Sequence, residues 1–162
     1  MDDAIDVILA QWRDERPDLD LSALGTFGRI MQLSAVLTTF MENWCAAHGL
    51  RAGEFDVLTA LRRAGPAMPS DLADALMMSR SGMTKRLDGL EQAGLVERTL
   101  DPADRRSFVV ALTDQGRELI DTVLTEHAEN MQRLAAGLSA RDRAGLERGL
   151  RTLLSDIQLS QM

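Results

Sequence analysis

The fold of this chain follows from the segment LEQAGLVERTLDPADRRSFVVALTDQG, which runs from Leu90 to Gly116. Its first residues continue a helical pattern, and beyond them two short apolar runs, 95–99 and 107–112, lie on either side of a charged turn that contains a proline. The second run alternates with a period of two residues, which is typical of a strand. The segment therefore predicts a β-hairpin after a helix, followed by a further helix for which Thr113 is the N-cap.

Three short helices are predicted upstream of the hairpin. Apolar residues recur at helical spacing in 52–63, 69–77 and 80–93, and glycine and proline residues separate these stretches. Three short helices followed by a hairpin are the arrangement of a winged helix-turn-helix, in which the second helix of the turn enters the major groove of DNA and the hairpin reaches the backbone or minor groove. The predicted fold class is mainly α with a small β-hairpin wing.

Helices with apolar stripes are also predicted at both ends of the chain. A short helix carries Trp12 on its apolar face, a second runs from Ser22 to Ala47, and two more follow the hairpin. They cannot all bury their stripes against one small winged lobe, so we expect them to pair with the same helices of a second chain in a two-fold dimer. Residues 1–162 are thus predicted to form a single domain, with dimerisation helices in 1–48 and 114–162 and a winged DNA-binding lobe in 52–112.

Charge is distributed unevenly along the sequence. The 162 residues carry a net charge of −7, which by itself argues against binding to nucleic acid. Residues 62–106, however, contain eight basic and seven acidic side chains, so the negative surplus lies outside this part of the chain. Contact with a polyanion is therefore expected only in the middle third.

Residues that would support other classes of protein are missing from the sequence. The longest run without a charge, Ile30–Met41, is shorter than the about 18 apolar residues that a membrane helix needs. One cysteine, Cys45, excludes an internal disulfide, and His48 and His127 are too few for a metal site. No cofactor and no catalytic set of nucleophile and base is expected, so the chain is predicted not to be an enzyme. The acidic start differs from a secretory signal and predicts a cytoplasmic protein.

The helix in 80–93 is the predicted reading helix. With about 100° per residue, Met83, Leu87 and Leu90 form its buried face, and the polar residues near its N-terminus point outward, where they can meet base edges and phosphates. The charged turn of the hairpin supplies a second contact, because an arginine can enter an electronegative minor groove. The expected DNA contacts are Ser70, Arg80, Ser81, Thr84, Lys85, Asp104, Arg105 and Arg106. The alternative is an ordinary solvated face and a charged turn, as in a winged-helix interaction module that does not bind DNA.

Four other residues predict a pocket for a planar anion. Arg86 projects at the border of the buried face, and Arg98, twelve residues later, is placed to converge on the same space. Two arginines supply charge, Asp56 can accept from ligand N–H groups, and Trp12 can stack on a ring. Each residue also has a simpler interpretation. Trp12 fits a core position, and either arginine fits a structural salt bridge with Asp56.

Several motifs together resemble the MarR family of transcriptional regulators. They are Glu54-Phe55-Asp56-Val57-Leu58, Ser79-Arg80-Ser81-Gly82-Met83-Thr84-Lys85-Arg86-Leu87 and most of the segment from Leu90 to Gly116. The resemblance covers about Ser22 to Ile157. It implies a homodimeric winged-helix repressor. The two reading helices of a two-fold dimer predict a pseudo-palindromic operator in double-stranded DNA. The resemblance also implies that DNA affinity falls when a small phenolic or anionic ligand binds between the dimer helices and the DNA-binding lobe.

The N-terminus resembles one branch of that family more closely. Gln11-Trp12-Arg13, followed by Arg16-Pro17-Asp18-Leu19-Asp20, is similar to the urate-responsive branch, which adds a first helix and uses a tryptophan, an aspartate and two arginines for the ligand. This implies urate or a related purine as effector, with Trp12, Asp56, Arg86 and Arg98 as its ligand-binding residues. Two alternatives remain open: an effector that is a phenol or another organic acid, and a redox-sensing repressor that uses Cys45. With no second cysteine and no evident basic neighbour, Cys45 fits an inert packed thiol better.

Overall fold

The computed structural model describes residues 2–100 and 107–160, and in this part of the chain it contains seven helices and one two-stranded sheet. The helices are α1 (Ala4–Glu15), α2 (Ser22–Ala47), α3 (Ala52–Ala64), α4 (Pro69–Ala75), α5 (Arg80–Gln92), α6 (Asp114–Leu134) and α7 (Ala140–Ser160), and the strands are β1 (Val96–Leu100) and β2 (Phe108–Leu112). The predicted winged helix-turn-helix with its hairpin is confirmed. Within the described residues, none of the helices combines the length and apolar character needed to span a membrane.

The backbone divides into two compact units, one ending at Val57 and the other beginning at Leu58. In the first unit α1 packs closely on α2, because Gly28 leaves room for Ile5: a Cβ added to Gly28 would lie 3.1 Å from the Ile5 side chain. Asp3 caps α1 by accepting backbone N–H bonds, and its carboxylate also pairs with Arg29 of α2 at 2.8 Å. Arg29 pairs in addition with Asp6 at 2.6 Å. Small residues and an ion-pair cluster therefore fix α1 on α2.

The second unit contains the helix-turn-helix and the wing. Its core is apolar throughout, and its largest fully buried side chains are Leu58, Met83, Leu87, Leu90, Val110, Ile120 and Val123. The hairpin strands are antiparallel, with Val96 opposite Leu112 and Leu100 opposite Phe108. Along β1 the side chains become more exposed from the buried Val96 at the base of the hairpin to the exposed Leu100 near its tip. The wing is thus anchored at its base and projects away from the core.

The start of α6 fixes the base of the wing. Thr113 caps α6 by accepting from the Gly116 N–H at 3.0 Å, and its hydroxyl donates to the Gly94 carbonyl at 2.7 Å. A Cβ added to Gly116 would lie 1.9 Å from the Leu95 carbonyl oxygen, so only glycine permits this approach. The predicted N-cap at Thr113 is confirmed, and it couples the end of α5, the wing and α6.

Several predicted boundaries differ from the structure by one or two residues. Helix α4 ends at Ala75 rather than at Met77, because the backbone of Met77 turns into the left-handed region with a φ of 51°. Strand β1 covers Val96–Leu100 rather than 95–99, and β2 begins at Phe108 rather than at residue 107. In each case the spacing of apolar residues predicts the correct type of element. The same spacing does not identify the residue at which the helix or strand ends.

Candidate nucleic-acid interface and ligand-binding residues

Helix α5 turns one face to the core and the other to solvent. Ser79 caps its N-terminus by accepting from the Gly82 N–H at 3.1 Å. Met83, Leu87 and Leu90 are buried, as predicted from the helical projection. The opposite face is therefore held outward by packing, and the free amides of the first turn carry the positive end of the helix dipole.

The outward face near this N-terminus is polar and basic. Arg80, Ser81, Thr84 and Lys85 are all exposed, and the first turn contains no acidic residue. The Thr84 hydroxyl donates to the Arg80 carbonyl at 3.0 Å, which leaves the lone pairs of its oxygen able to accept. Among the described residues Lys85 forms no ion pair, so its charge is available to an external anion. Hydroxyls, cations and helix amides are the groups that contact phosphates and base edges.

The other predicted DNA contacts lie on α4 and in the turn of the hairpin. Ser70 lies on α4 and is half-buried, with its hydroxyl 3.4 Å from the Asp71 carboxylate. Asp104, Arg105 and Arg106 fall in the turn 101–106, which lies outside the described residues. The helix face is thus the part of the predicted interface that has a described geometry.

An ion-pair cluster joins the wing to α5. Arg98 of β1 donates to Asp88 at 2.6 Å and to Glu91 at 3.0 Å, both on the outer side of α5. Asp88 would repel phosphates if its charge stood alone, and Arg98 offsets that charge. This cluster was not predicted, although Asp88 and Glu91 stand three residues apart in the sequence and so share one helix face.

The two arginines predicted for the ligand have different surroundings. The half-buried Arg86 donates to the Met78 sulfur at 2.9 Å and forms no ion pair among the described residues. A thioether is a weak acceptor, so the positive charge of Arg86 is not neutralised. Arg98 instead forms salt bridges with two carboxylates. A structural salt bridge was the simpler interpretation of this residue, but its partners are Asp88 and Glu91 rather than Asp56. Arg86 is the more available cation.

Trp12 and Asp56 belong to the first compact unit. Trp12 is 45% exposed on α1, so its interpretation as a core residue is wrong for this chain. The apolar spacing of α1 placed Trp12 on the correct face, but that face remains uncovered. Asp56 is an exposed residue of α3. Both side chains are accessible to a solute.

Cys45 lies near the C-terminal end of α2. It is fully buried, and this burial, together with the negative charge of Asp56, raises the pKa of its thiol. Trp44, its neighbour in sequence, stacks edge-on against Phe55 with ring centroids 5.4 Å apart. A buried, protonated thiol reacts slowly with oxidants, because the thiolate is the nucleophile. The surroundings of Cys45 favour the inert thiol.

Comparisons with known proteins agree on one family. A model of the MarR family matches residues 48–107. The chain is 39% identical over 142 residues to the HTH-type transcriptional regulator PecS of Dickeya dadantii, a match that covers 86% of each protein. A mutant MarR of E. coli, solved in complex with operator DNA, superposes with a TM-score of 0.70 at 26% identity and covers 88% of this chain and 97% of that one. AbsC of Streptomyces coelicolor has the same fold, with a TM-score of 0.77, 24% identity and coverage of 86% and 97%.

Proposed function

The chain belongs to the MarR family of transcriptional regulators, and from this premise we propose that it is a sequence-specific DNA-binding repressor, released from its operator by a small anionic aromatic ligand. The observation that carries the proposal is the outward face of α5, where Arg80, Ser81, Thr84 and Lys85 surround a capped helix N-terminus free of acidic residues. A helix of this kind enters the major groove with its N-terminal residues on the base edges. The operator complex of the E. coli MarR mutant supports the same role here.

The roles within the interface follow from side-chain chemistry. Lys85 and Arg80 bind phosphates, and Ser81 and Thr84 contact phosphates or base edges. Ser70 on α4 contacts the backbone, as the first helix of the motif does. At the wing, Arg105 and Arg106 enter the minor groove and Asp104 orients one guanidinium. The first group fixes register, and Thr84 contributes to sequence preference.

The repressor acts as a homodimer. Large apolar side chains are exposed on α1 and α2 in the first unit and on α7 in the second, among them Met31 and Leu154. Large apolar side chains exposed along helices in this way mark an interaction site. A two-fold dimer presents two reading helices, so the operator is a pseudo-palindrome whose half-sites lie about 10 bp, or roughly 34 to 36 Å, apart.

The DNA-binding role is tested by selecting operator fragments from genomic DNA and measuring affinity against salt concentration. Lys85→Ala or Arg106→Ala should weaken binding to all sequences and lower the salt slope by about one unit each. Thr84→Ala should instead relax preference at one base pair, by about 1 to 3 kcal/mol. Arg51→Ala, which removes an exposed charge between α2 and α3, is the matched control and should change neither quantity. A protein that retards no fragment, or three unchanged variants, would overturn the assignment.

We also propose that Trp12, Asp56, Arg86 and Arg98 bind the effector and that the effector is urate or a related purine. The half-buried, unneutralised charge of Arg86 and the exposed indole of Trp12 support this role. An anion that attracts Arg98 competes with Asp88 and Glu91 and so loosens the link between wing and α5. By thermodynamic reciprocity, ligand and DNA weaken each other by the same factor, typically about 5- to 150-fold.

The effector is tested with purines, salicylate-like acids and peroxide as competitors of the operator complex. Urate should quench Trp12 fluorescence, measured in a Trp44→Phe background, and release DNA. Arg86→Ala and Asp56→Ala should lose both responses, and Cys45→Ser should keep them. Release by salicylate-like acids alone would replace urate with another organic acid. Release by peroxide that disappears in Cys45→Ser would favour the redox-sensing alternative.

A further inference from the structure

Met77 adopts a backbone conformation that methionine rarely takes. It follows α4 in the turn before α5, and its φ of 51° makes it the one non-glycine residue with positive φ in the described part of the chain. Its N–H bonds to the Asp74 carbonyl at 3.2 Å, which completes the end of α4. Glycine serves this helix-ending position without steric cost. The turn itself therefore has no need of a methionine side chain.

The side chain of Met77 is also the most exposed large apolar group described. It is 95% exposed, whereas the adjacent Met78 turns inward to Arg86 and Met83 is fully buried. Neither core packing nor a hydrogen bond accounts for its presence. A residue that combines an unfavourable backbone conformation with an uncovered apolar side chain is a candidate for function.

The turn places Met77 beside the proposed reading face. Only Met78 separates it from Ser79, the cap of α5, so the Cα atoms of Met77 and Ser79 are at most about 7.6 Å apart. Because the N-terminus of the second helix meets the base edges, the turn before it lies close to the groove. The only apolar feature that a base pair presents in the major groove is the 5-methyl group of thymine.

We infer that Met77 is a specificity-determining residue that contacts the methyl group of one thymine in each operator half-site. The inference rests on the proposed DNA-binding function. Thioether side chains are flexible and polarisable, so they fit a methyl group without exact alignment. The contact adds preference at a base pair next to those read by Ser81 and Thr84.

The test is a double-mutant cycle between protein and DNA. Each thymine of the selected operator is replaced in turn by deoxyuracil, which removes only the methyl group, and affinities are measured for wild type, Met77→Gly, Met77→Leu and Met77→Gln. At one thymine per half-site, wild type and Met77→Leu should lose about three- to fivefold in affinity on loss of the methyl group. Met77→Gly and Met77→Gln should bind the thymine operator more weakly by a similar factor and be insensitive to deoxyuracil there.

The stability of the variants separates contact from folding. Met77→Gly relieves the left-handed backbone and should unfold at the same or a higher temperature than wild type, so weaker DNA binding could not be ascribed to loss of structure. Suppose that wild type binds its operator with the Lys85-dependent salt slope, but that Met77→Gly binds the thymine operator as tightly as wild type does and loses the same affinity on substitution with deoxyuracil. This inference then fails and the proposed function stands. If wild type retards no DNA, both fail.

Discussion

The winged lobe and the terminal helices use similar apolar residues at the same helical spacing, yet they differ in what covers them. On α5, Met83, Leu87 and Leu90 are completely buried. On the terminal helices, Met31 of α2 is 72% exposed and Leu154 of α7 is 62% exposed. A period of 3.6 residues therefore identifies the apolar face of a helix, but it does not say whether the same chain supplies the partner of that face.

The two regions are therefore stabilised in different ways. The lobe completes its core within one chain, with the wing fixed by Thr113 and Gly116. The terminal helices leave apolar side chains in water, at a cost that a second chain can remove. Mutations should thus act on chain stability in the lobe and on association in the terminal helices.

The largest expected effect is on the lobe core. Leu87→Ala removes a fully buried side chain from α5 and should lower the free energy of unfolding by about 2 to 5 kcal/mol, measured by chemical denaturation. The matched control is Leu100→Ala, the same substitution at the exposed end of β1, which should cost no more than about 0.5 kcal/mol. Similar losses at both positions would contradict the description of the lobe as a complete core.

An intermediate effect is expected on α7. Leu154→Asp places a carboxylate in the proposed dimer surface, where burying an unpaired charge is costly, and should raise the dimer dissociation constant by at least about tenfold. Ser155→Asp adds the same charge to the next residue, which is polar, and should have little effect. Sedimentation over a range of concentrations measures both. A wild-type chain that stays a 17.8 kDa monomer at micromolar concentration would contradict the role assigned to these helices.

Local signals in the sequence were sufficient for most of the fold. Thr113 caps α6 as predicted, since a hydroxyl beside free helix amides has the same effect in any context. The alternation in 107–112 predicted a strand for a similar reason. Met83 and Leu87 were placed in the core because the helix period fixes which residues share a face.

Features that depend on the surroundings of a residue were not predictable in this way. The left-handed backbone of Met77 lies inside a stretch that reads as helix, and methionine gives no turn signal. The pairing of Arg98 with Asp88 and Glu91 depends on where the hairpin lies against α5, which spacing alone does not give. The exposure of Trp12 depends on what covers α1, a question that its apolar period cannot answer.

The smallest expected effect concerns the polar attachment of α1, which contrasts with the apolar core of the lobe. The hydrogen bonds from Arg29 and from the Asp6 backbone lower the pKa of Asp3 below its ordinary value of 3.8, and the Asp3 backbone and Arg29 likewise lower the pKa of Asp6. Carboxyl groups with a lowered folded-state pKa stabilise the fold above pH 3.8, and this contribution is lost as the pH falls through the lower value. Amide hydrogen exchange should therefore show that the α1 amides lose protection below pH 3.8, while the amides around Leu87 keep theirs. In Arg29→Gln the protection of the α1 amides should depend less on pH than in wild type. Equal acid sensitivity of α1 and α5, or an unchanged profile in Arg29→Gln, would show that the ion pairs with Arg29 do not hold α1 in place.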